Sequence, residues 1–108
     1  MRMETTENNR GGVGPVHSKF ILDDNQKNDK TKMFSEVTVP AGSSIGYHVH
    51  HGESETYYIL SGEGEFNDNG TIRTVKKGDV TFTPSGTGHG MKNNGPEDLV
   101  FMALIQLD

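Results

Sequence analysis

The chain has 108 residues, of which 31% are hydrophobic, a formal charge of -5 and no cysteine. This length fits one domain, and the absence of cysteine excludes disulfides and thiolate metal ligands and agrees with a cytoplasmic location. No basic stripe is present to hold nucleic acid, and no apolar run is long enough to cross a membrane.

The N-terminal segment, residues 1–15, is polar and ends in a glycine-rich stretch. We expect it to be a flexible arm, followed by one domain over residues 16–108. Helical periodicity is almost absent from that domain. Short apolar runs alternate instead with Gly, Asn and Pro turn signals, which predicts an all-β sandwich or barrel. The predicted strands cover residues 17–22, 33–39, 46–50, 55–60, 65–67, 71–75, 80–83, 89–93 and 99–107.

Two predicted strand segments, 57–60 and 99–105, are apolar at every position. A strand of an antiparallel sheet in a monomer is expected to show one polar, solvated face. We therefore expect a neighbouring subunit to cover the second face, which predicts a homodimer.

Three histidines and one glutamate are placed to form a metal site. Successive side chains of a strand point to opposite faces, so His48 and His50 point the same way. Glu55 follows on the return strand, and His89 comes from strand 89–93. Three imidazoles and one carboxylate suit one divalent transition metal per chain, namely manganese, iron, zinc, nickel or cobalt. Magnesium and calcium prefer shells made only of oxygen.

The other residues with suitable side chains fit the ligand pattern less well. His51 has the wrong parity, and Glu53 misses the ligand spacing, so we expect Glu53 to cap the bend or lie at the pocket mouth. His17 lies far from the pattern and is expected to be structural.

Four apolar or aromatic residues could wall a ligand pocket beside the metal or simply form the barrel core: Tyr57, Ile59, Phe82 and Met91. Apolar walls with few polar groups are typical of small-molecule sites. The candidates for a catalytic role are Tyr57 and Glu36. Glu36 alternates with Phe34 and Thr38, and if it faces inward, burial could raise its pKa.

The spacing of these residues resembles the two sequence motifs of the cupin family. The first half reads Gly42, five residues, His48-Val49-His50, four residues, Glu55, six residues, Gly62. The second reads Gly78, five residues, Pro84-Ser85-Gly86, two residues, His89, three residues, Asn93. This resemblance implies the cupin double-stranded β-helix, a jelly-roll barrel.

The resemblance leaves the function open, because cupins include enzymes, binding modules and storage proteins. One hypothesis is a metal-dependent enzyme of the decarboxylase, dioxygenase or isomerase type, acting on a small carboxylate or carbohydrate-derived compound. The alternative is a non-catalytic binding or sensing module with a static metal, and a purely structural dimer is a third. A divalent ion beside Glu55 favours an anionic or chelating small molecule.

Similarity to single-domain oxalate-degrading cupins suggests oxalate as one substrate. The shortage of arginine counts against it, since a guanidinium is the natural partner of a second carboxylate. Arg73 is expected in a hairpin away from both motifs.

Overall fold

The computed structural model describes residues 1–108 and contains ten strands, two short 3₁₀ turns and no α-helix. No helix therefore has the length and apolar character that a membrane crossing requires. The strands are β1 (Arg2–Glu7), β2 (Pro15–Phe20), β3 (Thr31–Val39), β4 (Ser44–Val49), β5 (Glu53–Ser61), β6 (Glu63–Asp68), β7 (Thr71–Lys76), β8 (Val80–Thr83), β9 (Gly88–Lys92) and β10 (Leu99–Leu107).

The strands form two sheets that face each other across the core. One sheet has the order β1-β2-β3-β10-β5-β8, and the other has the order β4-β9-β6-β7. All strand pairs are antiparallel. The predicted all-β fold and its jelly-roll barrel are confirmed, and each of the nine predicted strands is present.

Tight turns join the strands where the sequence predicts them. Between β6 and β7, Asn69 and Gly70 both have positive φ, at 50° and 99°. Paired left-handed residues are what a two-residue hairpin needs in order to match the twist of its strands. The β6–β7 hairpin therefore closes the far end of the smaller sheet.

The N-terminal residues differ from the flexible arm that the sequence predicts. Residues 2–7 form β1, which pairs with β2 from Arg2 opposite Phe20 to Glu7 opposite Pro15. Strand pairing uses main-chain groups, so a polar segment can join a sheet edge without burying apolar side chains. Composition alone therefore underestimated the order of this segment.

Residues 8–14, named here the N-terminal loop, connect β1 to β2 and lie against β4. The Val13 carbonyl accepts from the Ser44 N–H at 2.8 Å, and the Ser44 hydroxyl accepts from the Val13 N–H at 2.9 Å. A side chain on Gly12 would collide with the Ser44 carbonyl oxygen. Close backbone approach thus fixes the loop beside the strand that carries His48.

Two residues predicted near the site face away from the core. On β3, Ser35, Val37 and Val39 are buried, which places Glu36 on the outer face. On β8, the residues on either side of Phe82 are buried, whereas Phe82 itself is 56% exposed. Alternation identifies the two sets of side chains on a strand, but it does not say which set faces inward.

Candidate metal centre

The four predicted ligands come together from both sheets. His48 lies on β4 and His50 directly after it, while His89 lies on β9, where it pairs with His48. Glu55 lies on β5 of the larger sheet. One ligand atom from each of the four lies within 4.8 Å of every other. The convergence that strand parity predicts is confirmed.

The donor atoms are spaced as a metal site requires. Glu55 Oε1 lies 2.9 Å from the Nε2 atoms of both His50 and His89. Those two Nε2 atoms are 3.1 Å apart. Two ligands at about 2.1 Å from a metal and at right angles to each other are separated by about 3 Å. The side chains therefore fit a transition-metal ion.

The surrounding hydrogen bonds orient the imidazoles. His48 Nδ1 donates to the Gly46 carbonyl at 2.7 Å, and His50 Nδ1 donates to Glu53 Oε2 at 2.6 Å. Both partners can only accept, so both rings carry their proton on Nδ1 when neutral. His89 Nδ1 lies 2.9 Å from the Thr83 hydroxyl. The Nε2 lone pairs of neutral rings then converge on Glu55, and a cation is the group that satisfies them.

Glu53 is the carboxylate next to the ligands rather than one of them. It is 8% exposed. Its Oε1 accepts from Lys32 Nζ at 2.8 Å, while its Oε2 holds His50. Burial acts to raise the pKa of Glu53, but the bonds from Lys32 and His50 outweigh it and lower that pKa. The residue stays ionised and fixes the tautomer of His50.

The pKa values of the ligands reflect their mutual contacts. Burial acts to raise the pKa of Glu55, but hydrogen bonds from His50 and His89 outweigh it and lower that pKa to about 2. The hydrogen bond to Glu55 is the main cause that raises the pKa of His50. Burial lowers the pKa of His48, with a smaller contribution from the positive charge of Arg10. The contact with Glu55 thus favours a proton on His50 when no cation is bound.

A cavity of about 170 Å³ adjoins three of the four ligands. Pockets for drug-sized molecules have roughly 300–1,000 Å³, so this one fits a molecule of only a few atoms. Its walls include the three ligands His48, His50 and Glu55, together with Asn9, Arg10, Val16, Ser18, Met33, Val37, Ile45, Tyr57 and Ile105.

Of the four residues considered for the pocket wall, only Tyr57 lines this cavity. Its ring stacks on His89 with centroids 5.0 Å apart and planes 23° from parallel. Burial raises the pKa of its hydroxyl well above the usual value, so Tyr57 is a neutral phenol and not a base at neutral pH. Ile59 and Met91 are 0% and 1% exposed members of the core.

The other two candidates lie outside the site. Phe82 points to solvent, so its prediction as a pocket residue is wrong. Glu36 lies on the outer face of the larger sheet and does not line the cavity, which contradicts its candidacy as a base there. Both errors have the same cause. Glu36 lies on β3 and Phe82 on β8, and neither strand contains a metal ligand that would identify which of its two faces points inward.

The two remaining histidines lie away from the ligand cluster. His51 is exposed, in agreement with its parity. His17 Nδ1 forms a 2.8 Å hydrogen bond with the Thr5 hydroxyl in the β1–β2 pair.

Asn9 and Arg10 of the N-terminal loop are the residues that sequence reasoning missed. Both line the metal cavity. The loop reaches it through the close packing of Gly12 and Gly46, since a side chain on Gly46 would collide with the Arg10 carbonyl oxygen. The glycine-rich stretch is the one sequence feature that relates to this close packing of the loop against β4, and by composition it indicates flexibility instead.

Comparison with known proteins finds relatives that match most of this chain. The chain is 46% identical over 104 residues to the oxalate-binding protein of Thermotoga maritima, covering 96% of this chain and 86% of that protein. It is 35% identical over 104 residues to the oxalate decarboxylase OxdC of Bacillus subtilis, covering 87% of this chain but only 27% of that longer protein.

Solved structures show the same relationship. A crystal structure from Thermotoga maritima, described as a predicted oxalate decarboxylase, matches with a TM-score of 0.96 and 44% identity, over 100% of this chain and 94% of that one. KdgF from Halomonas shares the fold with a TM-score of 0.74 at 20% identity, over 97% and 86% of the two chains. The family model described as "Cupin domain" matches residues 35–105. The chain therefore belongs to the cupin domain family.

Proposed function

We propose that this protein binds one divalent transition metal through His48, His50, Glu55 and His89, and binds a small carboxylate of the oxalate type on that metal. The observation that carries the proposal is the convergence of three imidazoles and one ionised carboxylate, with one ligand atom of each within 4.8 Å of every other and the Nε2 atoms of His50 and His89 in contact with Glu55. Imidazole and carboxylate donors suit manganese, iron, nickel, zinc or cobalt.

The charge and size of the site support a small anionic ligand. A divalent ion beside one carboxylate leaves a net positive charge, which attracts an anion and offers coordination positions to its oxygens. The cavity of about 170 Å³ limits that ligand to a few atoms. The relative named oxalate-binding protein, at 46% identity over nearly the whole chain, makes oxalate the first ligand to test.

The metal assignment is tested by two neighbouring histidines. His48→Ala removes a donor, and we expect it to lose manganese on dialysis, whereas His51→Ala alters an exposed ring and should keep the wild-type metal content. Elemental analysis gives the metal content, and calorimetric titration of the loaded proteins gives oxalate affinity. Equal metal retention by both variants would contradict the ligand set, and a fully loaded wild type that binds no oxalate would contradict the ligand class.

A second candidate function is cleavage of oxalate to formate and carbon dioxide. The similarity to oxalate decarboxylase favours it. The cavity wall is against it, because its carboxylate and both of its imidazoles are proposed metal ligands and its tyrosine stays protonated at neutral pH, which leaves no free general base. Incubating manganese-loaded protein with oxalate and measuring formate separates binding from turnover.

We also propose that the protein is a homodimer that associates through the outer face of its larger sheet. Apolar side chains of four adjacent strands form this face: Phe34, Tyr58, Leu60, Val80, Phe82, Val100, Met102 and Leu104. Tyr58, Val80 and Phe82 are 49%, 56% and 56% exposed. Contiguous apolar patches of this kind are rare on monomers.

Two substitutions of exposed apolar residues test the dimer. Phe82→Glu places a charge within the outer face, and we expect it to shift the protein from dimer to monomer. Ile72→Glu is the control, because Ile72 is 54% exposed but lies on β7 of the smaller sheet. Sedimentation at micromolar concentration gives the masses. A monomeric wild type, or a dimeric Phe82→Glu variant, would contradict the proposal.

A further inference from the structure

Arg10 differs from the other arginines in having no partner within the chain. Arg2 pairs with Glu4 and lies over the Phe20 ring. Arg73 pairs with Asp68 and lies over Phe66. Arg10 makes no salt bridge and no side-chain hydrogen bond, yet it lines the cavity that contains the metal ligands. A guanidinium that lines a cation site without forming an ion pair within the chain points to an anion supplied from outside.

The backbone that presents Arg10 is held in an unfavourable conformation. Arg10 has φ 54° and Asn8 has φ 53°, both in the left-handed region that residues with a side chain rarely adopt. This conformation is costly for Arg10 in particular, because its Cβ is brought close to the following carbonyl oxygen. Strain of this kind persists where surrounding contacts impose it, and it is concentrated at functional sites.

The contacts that impose this conformation surround the loop on several sides. The Asn8 N–H donates to the Gly14 carbonyl at 3.0 Å, and the Asn8 side chain accepts from the Gly14 N–H at 3.2 Å. Asn9 Nδ2 donates to the Thr6 hydroxyl at 3.0 Å. Together with the packing of Gly12 against β4 and of Gly46 against the N-terminal loop, these bonds hold Arg10 at the cavity.

Arg10 also lines a second, larger groove next to the cavity. This groove of about 500 Å³ shares Arg10, Met33 and Ile105 with the metal cavity. A ligand that enters from the groove would pass the guanidinium before it reaches the metal ligands. Arginine is suited to this position because its planar fork can bind a carboxylate through two parallel hydrogen bonds.

We propose that Arg10 binds the second carboxylate of a dicarboxylate whose first carboxylate lies on the metal, and so selects dicarboxylates over monocarboxylates. This inference rests on the proposed metal-dependent carboxylate binding and adds the residue that sets its selectivity. It also removes the objection that the sequence lacks an arginine near the motifs. A monocarboxylate such as acetate has no second group to reach Arg10.

The test compares oxalate with acetate on manganese-loaded, full-length protein. Calorimetric titration of Arg10→Gln should show oxalate affinity lower by about 10- to 100-fold, the usual range for a lost charge-assisted hydrogen bond, and acetate affinity changed by less than twofold. Arg10→Lys keeps the charge without the fork and should be intermediate. Arg73→Gln removes the same charge from a distant hairpin and should bind both anions as the wild type does.

The possible results separate this inference from the proposed function. Wild-type affinity of Arg10→Gln for oxalate would overturn the role of Arg10 and leave metal-dependent binding intact. Equal losses for oxalate and acetate, or a lower manganese content by elemental analysis, would show that Arg10 supports the site without selecting the ligand, which also overturns the proposal. A wild type that binds neither anion would overturn both.

Discussion

Among the side chains around the candidate metal centre, Glu53 forms hydrogen bonds with two neighbours at once. Its carboxylate accepts from His50 on one oxygen and from Lys32 on the other. Glu53 therefore fixes the orientation and the tautomer of the His50 ring, although Glu53 itself does not line the ligand cavity. Metal binding at the proposed site should therefore depend on this carboxylate even though it supplies no donor atom.

Replacing Glu53 by glutamine should weaken metal binding while all four ligands remain. The neutral amide can still meet His50, but it no longer favours the Nδ1 proton, and such changes typically cost 10- to 100-fold in metal affinity. Manganese titration measures the effect. Glu65→Gln is the matched control, because this carboxylate lies on β6 and accepts from Asn94. Equal affinities of the two variants would contradict the orienting role.

Protons should compete with the metal at the same donor atoms. The pKa of His50 is raised above its ordinary 6.5, chiefly by its bond to Glu55. Its protonated form therefore stabilises the metal-free fold below pH 6.5, and that contribution is lost as pH rises through the raised pKa. Metal needs the neutral ring, so metal affinity should fall as pH drops, beginning above 6.5.

His48 contributes less to this competition between protons and metal, because burial lowers its pKa and keeps the ring neutral to lower pH. Calorimetric titration with manganese at pH 5.5, 6.5, 7.5 and 8.5 measures the affinity, and buffers of different ionisation enthalpy reveal the proton released. Equal affinity across this range, with no proton released at pH 6.5, would show that His50 is not displaced by metal.

At the scale of elements, the N-terminal loop depends on how closely it packs against β4. Gly12 has a φ of -76°, a conformation that alanine adopts readily. Alanine is excluded at this position because its side chain would collide with the Ser44 carbonyl oxygen. Gly11, one residue earlier, has φ 79° but no neighbour within 4 Å of an added side chain. The two positions separate packing from backbone strain within one loop.

Gly12→Ala should destabilise the protein by about 1–3 kcal/mol, the usual cost of overpacking, and release the loop from β4. Gly11→Ala should cost about 1 kcal/mol for its left-handed backbone alone and leave the loop in place. Urea denaturation gives the free energies of unfolding, and trypsin cleavage after Arg10 reports loop release. Faster cleavage of Gly11→Ala than of Gly12→Ala would contradict the packing argument.

The elements also show why the sequence predicted some parts of the site and not others. His48, His50 and Glu55 lie on or next to β4 and β5, which follow each other in the chain and are joined by a short bend. The alternation of side chains along these two strands is therefore enough to predict that the three residues meet. The prediction that Phe82 lines the pocket is wrong because β8 contains no ligand to identify its inward face. Arg10 has no motif around it, and its position depends on the contact between Gly12 and β4, which no local pattern reports.

For the molecule as a whole, the metal centre connects the two sheets of the barrel. His48 and His89 belong to the smaller sheet, and Glu55 belongs to the larger one. A domain this short buries a smaller fraction of its surface on folding than a large one, so its hydrophobic core provides only modest stability. A cation held by both sheets would therefore oppose their separation, and it would bind only the folded chain because the ligands are dispersed when the chain unfolds.

Manganese should accordingly raise the melting temperature by a large amount. At a free concentration one thousand times Kd the stabilisation is about 4 kcal/mol. Each kcal/mol shifts the melting temperature of a domain of this size by roughly 4–8 °C. Thermal unfolding with excess manganese and with EDTA measures the difference, which His51→Ala should retain and Glu55→Gln should largely lose. A wild type that melts at the same temperature with either addition would show that no ion joins the two sheets.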